Sequence, residues 1–220
     1  MGAMSVVIHA DEGDDVVRQG PDARQRMIGA AREIIRERGY HAMSLSEVVE
    51  RSAAPRGSLY YHFPQGKQQI AAETAGIHAG EQLGEIRRLA GEATSAADLV
   101  RGYVDRAREG MIASGYGRGC AIAPLVTGVG EASGGLGEAC RLGFTEIVDA
   151  IAVQFVAFGL GATAATELAH AVLAGVQGAE ITSRALRSPE PFDAVRSALV
   201  ECARLHAAGT GDAPRRSPPP

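Results

Sequence analysis

A twelve-residue segment concentrates the side chains of this chain that could contact another molecule. Positions 56 to 67 hold one Arg, one Ser, two Tyr, one His and one Lys, directly after Pro55. The Arg fork matches the O6/N7 edge of guanine, and the hydroxyl, imidazole and ammonium groups suit base edges or phosphate oxygens. Pro is tolerated in the first turn of a helix, where its missing N–H costs nothing. The segment therefore predicts a short helix that lies in a DNA groove.

Two helices before this segment would hold it in place. The first is predicted from Asp22, a good N-cap, to Arg38, with a Gly stop at position 39. Ser44-Leu45-Ser46-Glu47 is a capping box, in which Ser44 and Glu47 satisfy free amides at the start of a second, short helix. The third helix begins at Pro55 and is broken by Pro64-Gln65-Gly66. Three helices of this size with tight connections have the proportions of a helix-turn-helix unit.

Helical periodicity continues through the rest of the chain, which predicts an all-α protein of about nine helices. A long helix from about 67 to 90 follows the three-helix unit, and further helices are expected near 95–113, 121–131, 134–158, 163–187 and 190–207. The predicted organisation is a disordered N-terminal segment at 1–20, a helix-turn-helix DNA-binding domain at 21–66, a ligand-binding and dimerisation domain at 67–208, and a disordered tail at 209–220.

The three-helix unit resembles the DNA-binding domain of the TetR family of transcriptional regulators over about residues 22–70. The resemblance rests on Arg56-Gly57-Ser58-Leu59-Tyr60-Tyr61-His62-Phe63 and on Gly39-Tyr40 before the capping box. The residues around Pro55, together with Phe63-Pro64 and Gly66-Lys67, look most like the branch of LmrA/YxaF-type regulators. Ala53-Ala54-Pro55 departs from the commoner Gly-Val-Ser of the family, which removes a side-chain cap and an amide donor.

The residue types and this resemblance together assign candidate roles at the DNA. Arg56 is expected to read guanine, Tyr60 and Ser58 to donate to base edges or phosphates, and Tyr61 to lie against a thymine methyl or a sugar. The full set of candidate DNA-binding residues is Ser44, Arg56, Gly57, Ser58, Tyr60, Tyr61, His62 and Lys67. Leu59 and Phe63, four residues apart, should be core. Taken singly, either Tyr could be a packing aromatic and His62 could be structural.

A helix-turn-helix unit reads a palindrome as a dimer, so the chain should carry a surface for a second copy. The last long helix pair is the candidate, with small residues that permit close approach, and the resemblance implies the same arrangement. The predicted interface residues, which could alternatively be plain core, are Leu168, Val172, Gly175, Ala179, Leu186, Val195, Leu199 and Cys202.

The middle helices are expected to enclose an effector cavity. Its candidate residues, for any of which plain core is the alternative, are Tyr103, Met111, Phe144, Phe155 and Gln177, with Glu180 as a further polar group. An aromatic content of 5% without Trp argues against a large aromatic cage and favours a small apolar or amphipathic effector. The helix from 67 touches both halves and is the expected lever between effector and DNA.

The predicted function is a ligand-responsive DNA-binding transcriptional regulator, a homodimeric repressor released from a palindromic operator by its effector. One alternative is a thiol-based redox sensor that uses Cys120 or Cys140, because Arg118 and Arg141 are near in sequence and could lower a thiol pKa. A nonspecific architectural protein is a further alternative. The six His show neither HxxxH nor HExxH spacing and no phosphate-binding Gly motif is present, so no catalytic site, metal or cofactor is expected.

Charge and targeting signals agree with a cytoplasmic DNA-binding protein. Residues 21–70 contain eight Lys/Arg against five Asp/Glu, whereas residues 71–208 contain eleven against sixteen. A basic front on an acidic body presents one end to nucleic acid. No apolar run reaches the roughly 18–20 residues of a membrane span, and the three Cys have neither CxxC nor metal spacing. We therefore expect a cytoplasmic protein with no membrane partner.

Overall fold

A computed structural model describes residues 22–128 and 135–209. Over these ranges the chain is helical, and no residue is assigned to a strand. The helices are α1 (Ala23–Arg38), α2 (Leu45–Ser52), α3 (Leu59–His62), α4 (Lys67–Glu92), α5 (Ala96–Ala113), α6 (Ala123–Gly128), α7 (Gly135–Ala157), α8 (Ala162–Leu186) and α9 (Glu190–Gly209). The all-α prediction is confirmed. The segment predicted to be disordered at 1–20 lies outside the described residues, as does 129–134. Of the tail predicted at 209–220, the first residue, Gly209, ends α9 and the rest lies outside the described residues.

The first helix begins and ends at the predicted residues. The Asp22 carboxylate accepts from the Gln25 N–H at 2.7 Å, which satisfies one free amide of the first turn. Gly39 ends the helix at φ +83°, a conformation that costs a Gly little. Its inner face is buried along the predicted positions, from Met27 to Ile35.

The second helix has half of the predicted capping box. Ser44 Oγ accepts from the Glu47 N–H at 3.2 Å. The Glu47 carboxylate does not return to the Ser44 amide but forms ion pairs with Arg38 and, at 3.0 Å, with Arg51. These two guanidinium groups hold the pKa of Glu47 below its ordinary value, the Arg38 hydrogen bond contributing most. Glu47 therefore ties α2 to the end of α1 instead of closing the cap.

The third predicted helix is split into two short pieces. Residues Arg56–Ser58 form a 3₁₀ turn, and α3 follows for a single α-helical turn. The break predicted after position 63 is present, and Gly66 adopts φ +61° before α4 begins. Leu59 and Phe63 are buried, as predicted, and fasten this segment to the core of the three-helix unit.

The remaining helices build one core behind this unit. α4, about 39 Å long at 1.5 Å per residue, packs against α1 and along α7, while α5 packs on α9 and α8 lies between α7 and α9. Large side chains that are fully buried include Ile86, Met111, Phe155 and Phe192. Within the described ranges, no helix is both long and apolar enough to cross a membrane.

Candidate DNA-binding surface and effector cavity

The segment from Arg56 to His62 presents its polar side chains to solvent. The side chain of Tyr61 is 83% exposed and that of Tyr60 is 67% exposed, far more than these large aromatic groups would be in a packing role. Arg56 and Gly57 are exposed as well. Because Leu59 and Phe63 anchor the opposite side, the exposed groups are held on a fixed backbone. This placement is what contact with a DNA groove requires.

Two other residues of the segment are partly engaged within the chain. Ser58 Oγ donates to the Pro55 carbonyl at 2.7 Å, so its proton is already used and its oxygen is left as an acceptor. The predicted donation from Ser58 to DNA would require this hydrogen bond to break. His62 is half-buried, and its ring lies edge-on against that of Tyr61, with centroids 5.1 Å apart.

Ser44 and Lys67 flank the exposed segment from neighbouring helices. Ser44 is exposed at the N-terminus of α2, where free backbone amides suit a phosphate. Lys67 Nζ lies 4.4 Å from the centroid of the Tyr40 ring and donates to the His41 carbonyl at 3.3 Å. Partial burial lowers the pKa of Lys67. Lys67 thus fixes the start of α4 against the loop after α1.

The turn before the exposed segment has Ala53-Ala54-Pro55 where the sequence comparison expects Gly-Val-Ser, and this difference is visible in the structure. Ala53 ends α2 in the left-handed region at φ +50°, where a Gly would be unstrained. The 3₁₀ turn that follows has no side-chain cap, as the sequence predicted. Ser52 Oγ instead accepts from the Ala54 N–H at 3.3 Å. The turn is therefore held by a hydroxyl from the end of α2.

A cavity of about 290 Å³ lies inside the larger half of the chain. Four of the five predicted effector residues line it, namely Tyr103, Met111, Phe144 and Gln177. Phe155, the fifth, is fully buried in the core and is absent from the described lining of this cavity. Glu180 is present in the lining, together with Arg36, His78, Glu81, Gln82, Glu85, Arg106, Arg118 and Cys120, which the sequence did not reveal as cavity residues.

The floor of this cavity is polar. Glu180 Oε2 accepts from the Cys120 N–H at 3.0 Å, and burial raises the pKa of this carboxyl to about 7. His78 Nε2 lies 3.6 Å from Cys120 Sγ, and burial lowers the pKa of the imidazole to about 4. Tyr103 donates its hydroxyl to Gln82 Oε1 at 3.2 Å, and its pKa is raised by burial. Near neutral pH the floor of the cavity therefore holds a neutral imidazole and a neutral phenol beside a carboxyl that is partly protonated.

The same environment argues against the redox alternative. Burial raises the pKa of the Cys120 thiol to about 12 and that of the Cys140 thiol above its ordinary value, whereas a peroxide-sensing Cys needs a lowered one. The Arg side chains that motivated the idea are engaged elsewhere. Arg118 pairs with Glu33 at 3.0 Å, and Arg141 pairs with Glu138 at 2.6 Å. Both thiols are therefore buried and protonated.

A second cavity, of about 450 Å³, adjoins the first. Phe144 and Leu173 line both cavities and so form a common wall. The lining of this outer cavity is mostly apolar and comes from α6, α7 and α8: Leu125, Val126, Leu136, Gly137, Cys140, Arg141, Phe144, Thr145, Val148, His170 and Leu173.

The loop between α5 and α6 connects the inner cavity to the three-helix unit. Arg184 of α8 donates to the Arg36 carbonyl at 2.8 Å and to the Gly117 carbonyl at 2.7 Å. Arg36, near the end of α1, donates through Nε to the Gly119 carbonyl at 2.8 Å. Cys120, the next residue, is the one held by Glu180. The cavity wall and α1 thus share one short, hydrogen-bonded loop.

Comparison with known proteins follows the same division of the chain. Residues 27–74 match the family model of bacterial regulatory proteins of the tetR family, and residues 96–198 match the C-terminal domain of LmrA/YxaF-like transcriptional regulators. An HTH-type transcriptional regulator of Mycobacterium tuberculosis is 32% identical over 187 residues, which cover 82% of this chain and 93% of the relative. The chain belongs to the TetR family of transcriptional regulators.

More distant relatives of this TetR-family chain agree. LmrA of Bacillus subtilis is 24% identical over 180 residues, covering 82% of this chain and 96% of LmrA. A crystal structure of a TetR transcriptional regulator from Legionella pneumophila superposes with a TM-score of 0.75 at 16% identity, covering 83% of this chain and 98% of that one, which shows the shared fold. Its family makes the protein a DNA-binding transcriptional regulator and not an enzyme. Among the described residues, no group of three or more potential ligands could hold a metal ion.

The predicted dimer residues of this regulator fall into different environments. The side chains of Leu168, Val172 and Ala179 are buried in the chain's own core. A Cβ at Gly175 would meet Val195 Cγ1 at 2.9 Å and Leu199 Cδ1 at 3.2 Å, so this Gly permits α8 and α9 of one chain to pack.

Five of the predicted residues, Gly175 among them, keep some accessibility. Val195, Leu199 and Cys202 are half-buried on α9, and Leu186 is exposed at the end of α8. Helical periodicity had merged two faces: an inner face that packs within the chain and an outer face that is open. Leu168, Val172 and Ala179 are core residues of the single chain, and the interface stays a prediction for the other five.

Proposed function

We propose that this TetR-family protein is a ligand-responsive repressor, which binds a palindromic operator as a homodimer and is released by a small amphipathic effector. The observation that carries the proposal is the exposure of Arg56, Tyr60 and Tyr61 on a segment whose apolar side is buried. In this proposal residues 21–66 form the DNA-binding domain and residues 67–208 bind the effector and the second copy. The protein acts in the cytoplasm without a cofactor.

The outer face of α8 and α9 supports the homodimer. On α8 the exposed residues Ala174, Gly178, Ile181 and Ala185 follow one another at helical steps. A Cβ at Gly178 would meet no atom of the chain within 4 Å, so its own fold does not require a Gly there. Close approach of a second copy would supply the reason. Leu205 is a further exposed apolar side chain, on α9.

Sedimentation velocity of two matched variants tests the homodimer. Gly178→Leu should weaken dimerisation at least tenfold, because the larger side chain would separate the two copies. Gly84→Leu makes the same change at an exposed Gly of α4 that also has open space around it, and should sediment like the wild type. Equal dimerisation by both variants would move the interface away from this face.

Two connections would carry the effector's signal to DNA. The first is α4, which runs from the exposed segment to the cavity and supplies His78 and Gln82 to its wall. The second is the loop at 117–120, which Arg184 and Arg36 fasten to α1. An effector that binds best when this loop or α4 has shifted lowers DNA affinity by its differential binding energy. The released state would then hold the two DNA-binding segments at the wrong spacing.

Selection from a random DNA pool tests the DNA-binding part. Wild-type protein should enrich an inverted repeat with half-site centres one helical turn apart, about 34–36 Å, or a multiple of that distance. Arg56→Ala should relax one base position in each half-site by about 1–3 kcal/mol. Arg87→Ala removes the same charge from an exposed position on α4 and should enrich the wild-type sequence. Recovery of no common sequence by the wild type would contradict the proposal.

A further inference from the structure

The two adjoining cavities differ sharply in chemistry. The inner cavity is lined by hydrogen-bonding groups from α4, α5 and α8, whereas the outer cavity is walled mainly by Leu, Val, Phe and Cys side chains. Phe144 and Leu173 separate them. Both volumes, about 290 and 450 Å³, fall near the range of small-molecule sites. A molecule that reached across the common wall would meet a polar and an apolar environment at its two ends.

The inner cavity offers acceptors that the chain itself leaves open. Gln177 Oε1 is buried and has no hydrogen-bond partner within residues 22–128 and 135–209. Over the same ranges Glu180 accepts one hydrogen bond, from the Cys120 N–H to Oε2, so its Oε1 is open as an acceptor once the carboxyl has lost its proton, above a pKa of about 7. A buried acceptor without a donor costs roughly 1–3 kcal/mol of stability. A ligand with N–H or O–H groups would remove that cost.

The charged residues of the inner cavity are already engaged. Arg106 pairs with Glu85 at 3.3 Å, Arg118 pairs with Glu33, and Arg36 donates to the Gly119 carbonyl. Glu81 pairs with Arg32. A ligand carboxylate would have to compete with these partners for a cation, and it would face the open acceptors of Gln177 and Glu180. The cavity therefore favours a donor over an anion.

The outer cavity favours an apolar part of a ligand. Leu125, Leu136 and Val148 are buried in its wall, and Val126 is about half-exposed at its rim. Arg141, the one Arg or Lys among the described residues of its lining, is paired with Glu138 outside it. Each methylene of a ligand chain that is buried in this cavity would add affinity, so affinity should increase with the length of the chain.

We infer that the effector site takes an amphipathic molecule whose polar end carries N–H or O–H donors for Gln177 and Glu180 and whose apolar body passes Phe144 and Leu173 into the outer cavity. An amine or a hydroxyl at the polar end satisfies the same two acceptors. This inference names the chemical class of the effector and rests on the proposed function for the existence of that effector.

Calorimetric titration of the free protein with simple amphiphiles tests the inference without DNA. The probes are n-butylamine, n-hexylamine and n-octylamine, with n-octanol and n-octanoate as head-group comparisons. Affinity should rise about fourfold per added methylene while the chain enters the outer cavity. Octylamine and octanol should each bind at least tenfold more tightly than octanoate. Octanoate binding as tight as octylamine, or no binding by any of these probes, would overturn the inference.

Paired variants locate the two ends of the ligand. Glu180→Gln should lower the affinity for octylamine at least tenfold. Glu146→Gln, at an exposed carboxylate of α7 outside both cavities, should leave that affinity unchanged. Val126→Asn should flatten the dependence on chain length, whereas Val153→Asn, at an exposed Val outside both cavities, should preserve it. Equal effects of Glu180→Gln and Glu146→Gln would refute the position of the polar end. Equal effects of Val126→Asn and Val153→Asn would refute the position of the apolar end.

The inference and the proposed function can fail separately. If the amines bind as described but leave operator affinity unchanged, the two-part site stands and effector-induced release is wrong. If the protein binds an operator specifically and none of the probes binds, the DNA-binding function stands and the inference is wrong.

Discussion

Replacing Glu180 by Gln should stabilise the protein in a manner that depends on pH. Burial raises the pKa of this carboxyl from an ordinary 4.5 to about 7, so the folded state holds a proton that the unfolded state has released between these values. Stability contributed by this group therefore falls as the pH rises from about 4.5 through 7. Gln cannot ionise, and its carbonyl can still accept from the Cys120 N–H.

The magnitude follows from the two pKa values. At about 1.4 kcal/mol per pH unit, the full difference corresponds to about 3 kcal/mol. Because the side chain keeps some exposure to solvent, we expect about 2 kcal/mol at pH 8 and less than about 1 kcal/mol at pH 5. For a chain of this length, the gain at pH 8 corresponds to a rise in Tm of about 5 °C.

Thermal unfolding of wild-type and Glu180→Gln protein at pH 5 and pH 8 measures this effect. His78 has a pKa lowered to about 4, so it stabilises the folded state above about pH 6.5 and loses that contribution as the pH falls toward 4. His78 has this effect in both the wild-type and the Glu180→Gln protein, so it cancels in the Tm difference between them. Glu146→Gln is the control, which tests whether loss of one negative charge is by itself enough to raise the Tm. A Tm difference that was equal at both pH values, or larger at pH 5, would refute the reasoning.

Three further predictions concern the loop, the helix packing and the thiols. Arg184→Ala should accelerate hydrogen exchange of the Cys120 amide at least tenfold, because two charged hydrogen bonds of roughly 1.5–3 kcal/mol each are lost; Arg87→Ala should leave it unchanged. Gly175→Val should destabilise the protein by at least about 1–3 kcal/mol in chemical unfolding, since its side chain would collide with α9, whereas Gly84→Val should not. Peroxide should change operator affinity less than twofold by anisotropy, because the Cys120 thiol stays protonated; a larger loss that vanished in Cys120→Ser would restore the redox alternative.

The helix boundaries were largely predictable because local chemistry sets them. Asp22 and Ser44 cap the helices that they were predicted to cap, and Gly39 and Gly66 adopt the positive φ that ends or precedes a helix. The 3₁₀ turn at 56–58 was not predictable, because it depends on how Leu59 and Phe63 pack against α1 and α2 in the folded chain. The side-chain partner of Glu47 was missed for the same reason: Arg38 comes near only after the fold has formed.

Site residues were predictable where exposure or family pattern identified them. The exposed aromatic pair Tyr60-Tyr61 carried a signal in the sequence. Apolar spacing on α8 could not separate the face that packs within the chain from the face that is open, so Leu168 and its neighbours were assigned to the wrong side. His78 gave no local signal, since its importance comes from Cys120, 42 positions away, which the fold places 3.6 Å from it.

Fluorescence anisotropy on DNA from immediately upstream of the protein's own gene, at about 0.15 M salt, tests the central claim most directly. Wild-type protein should bind this DNA at least about 10³-fold more tightly than random DNA. Tyr61→Ala should abolish that preference, and Leu142→Ala, at a partly exposed apolar side chain of α7, should retain it. Equal, weak and salt-sensitive binding to both DNAs by the wild type would contradict a sequence-specific regulator at that site.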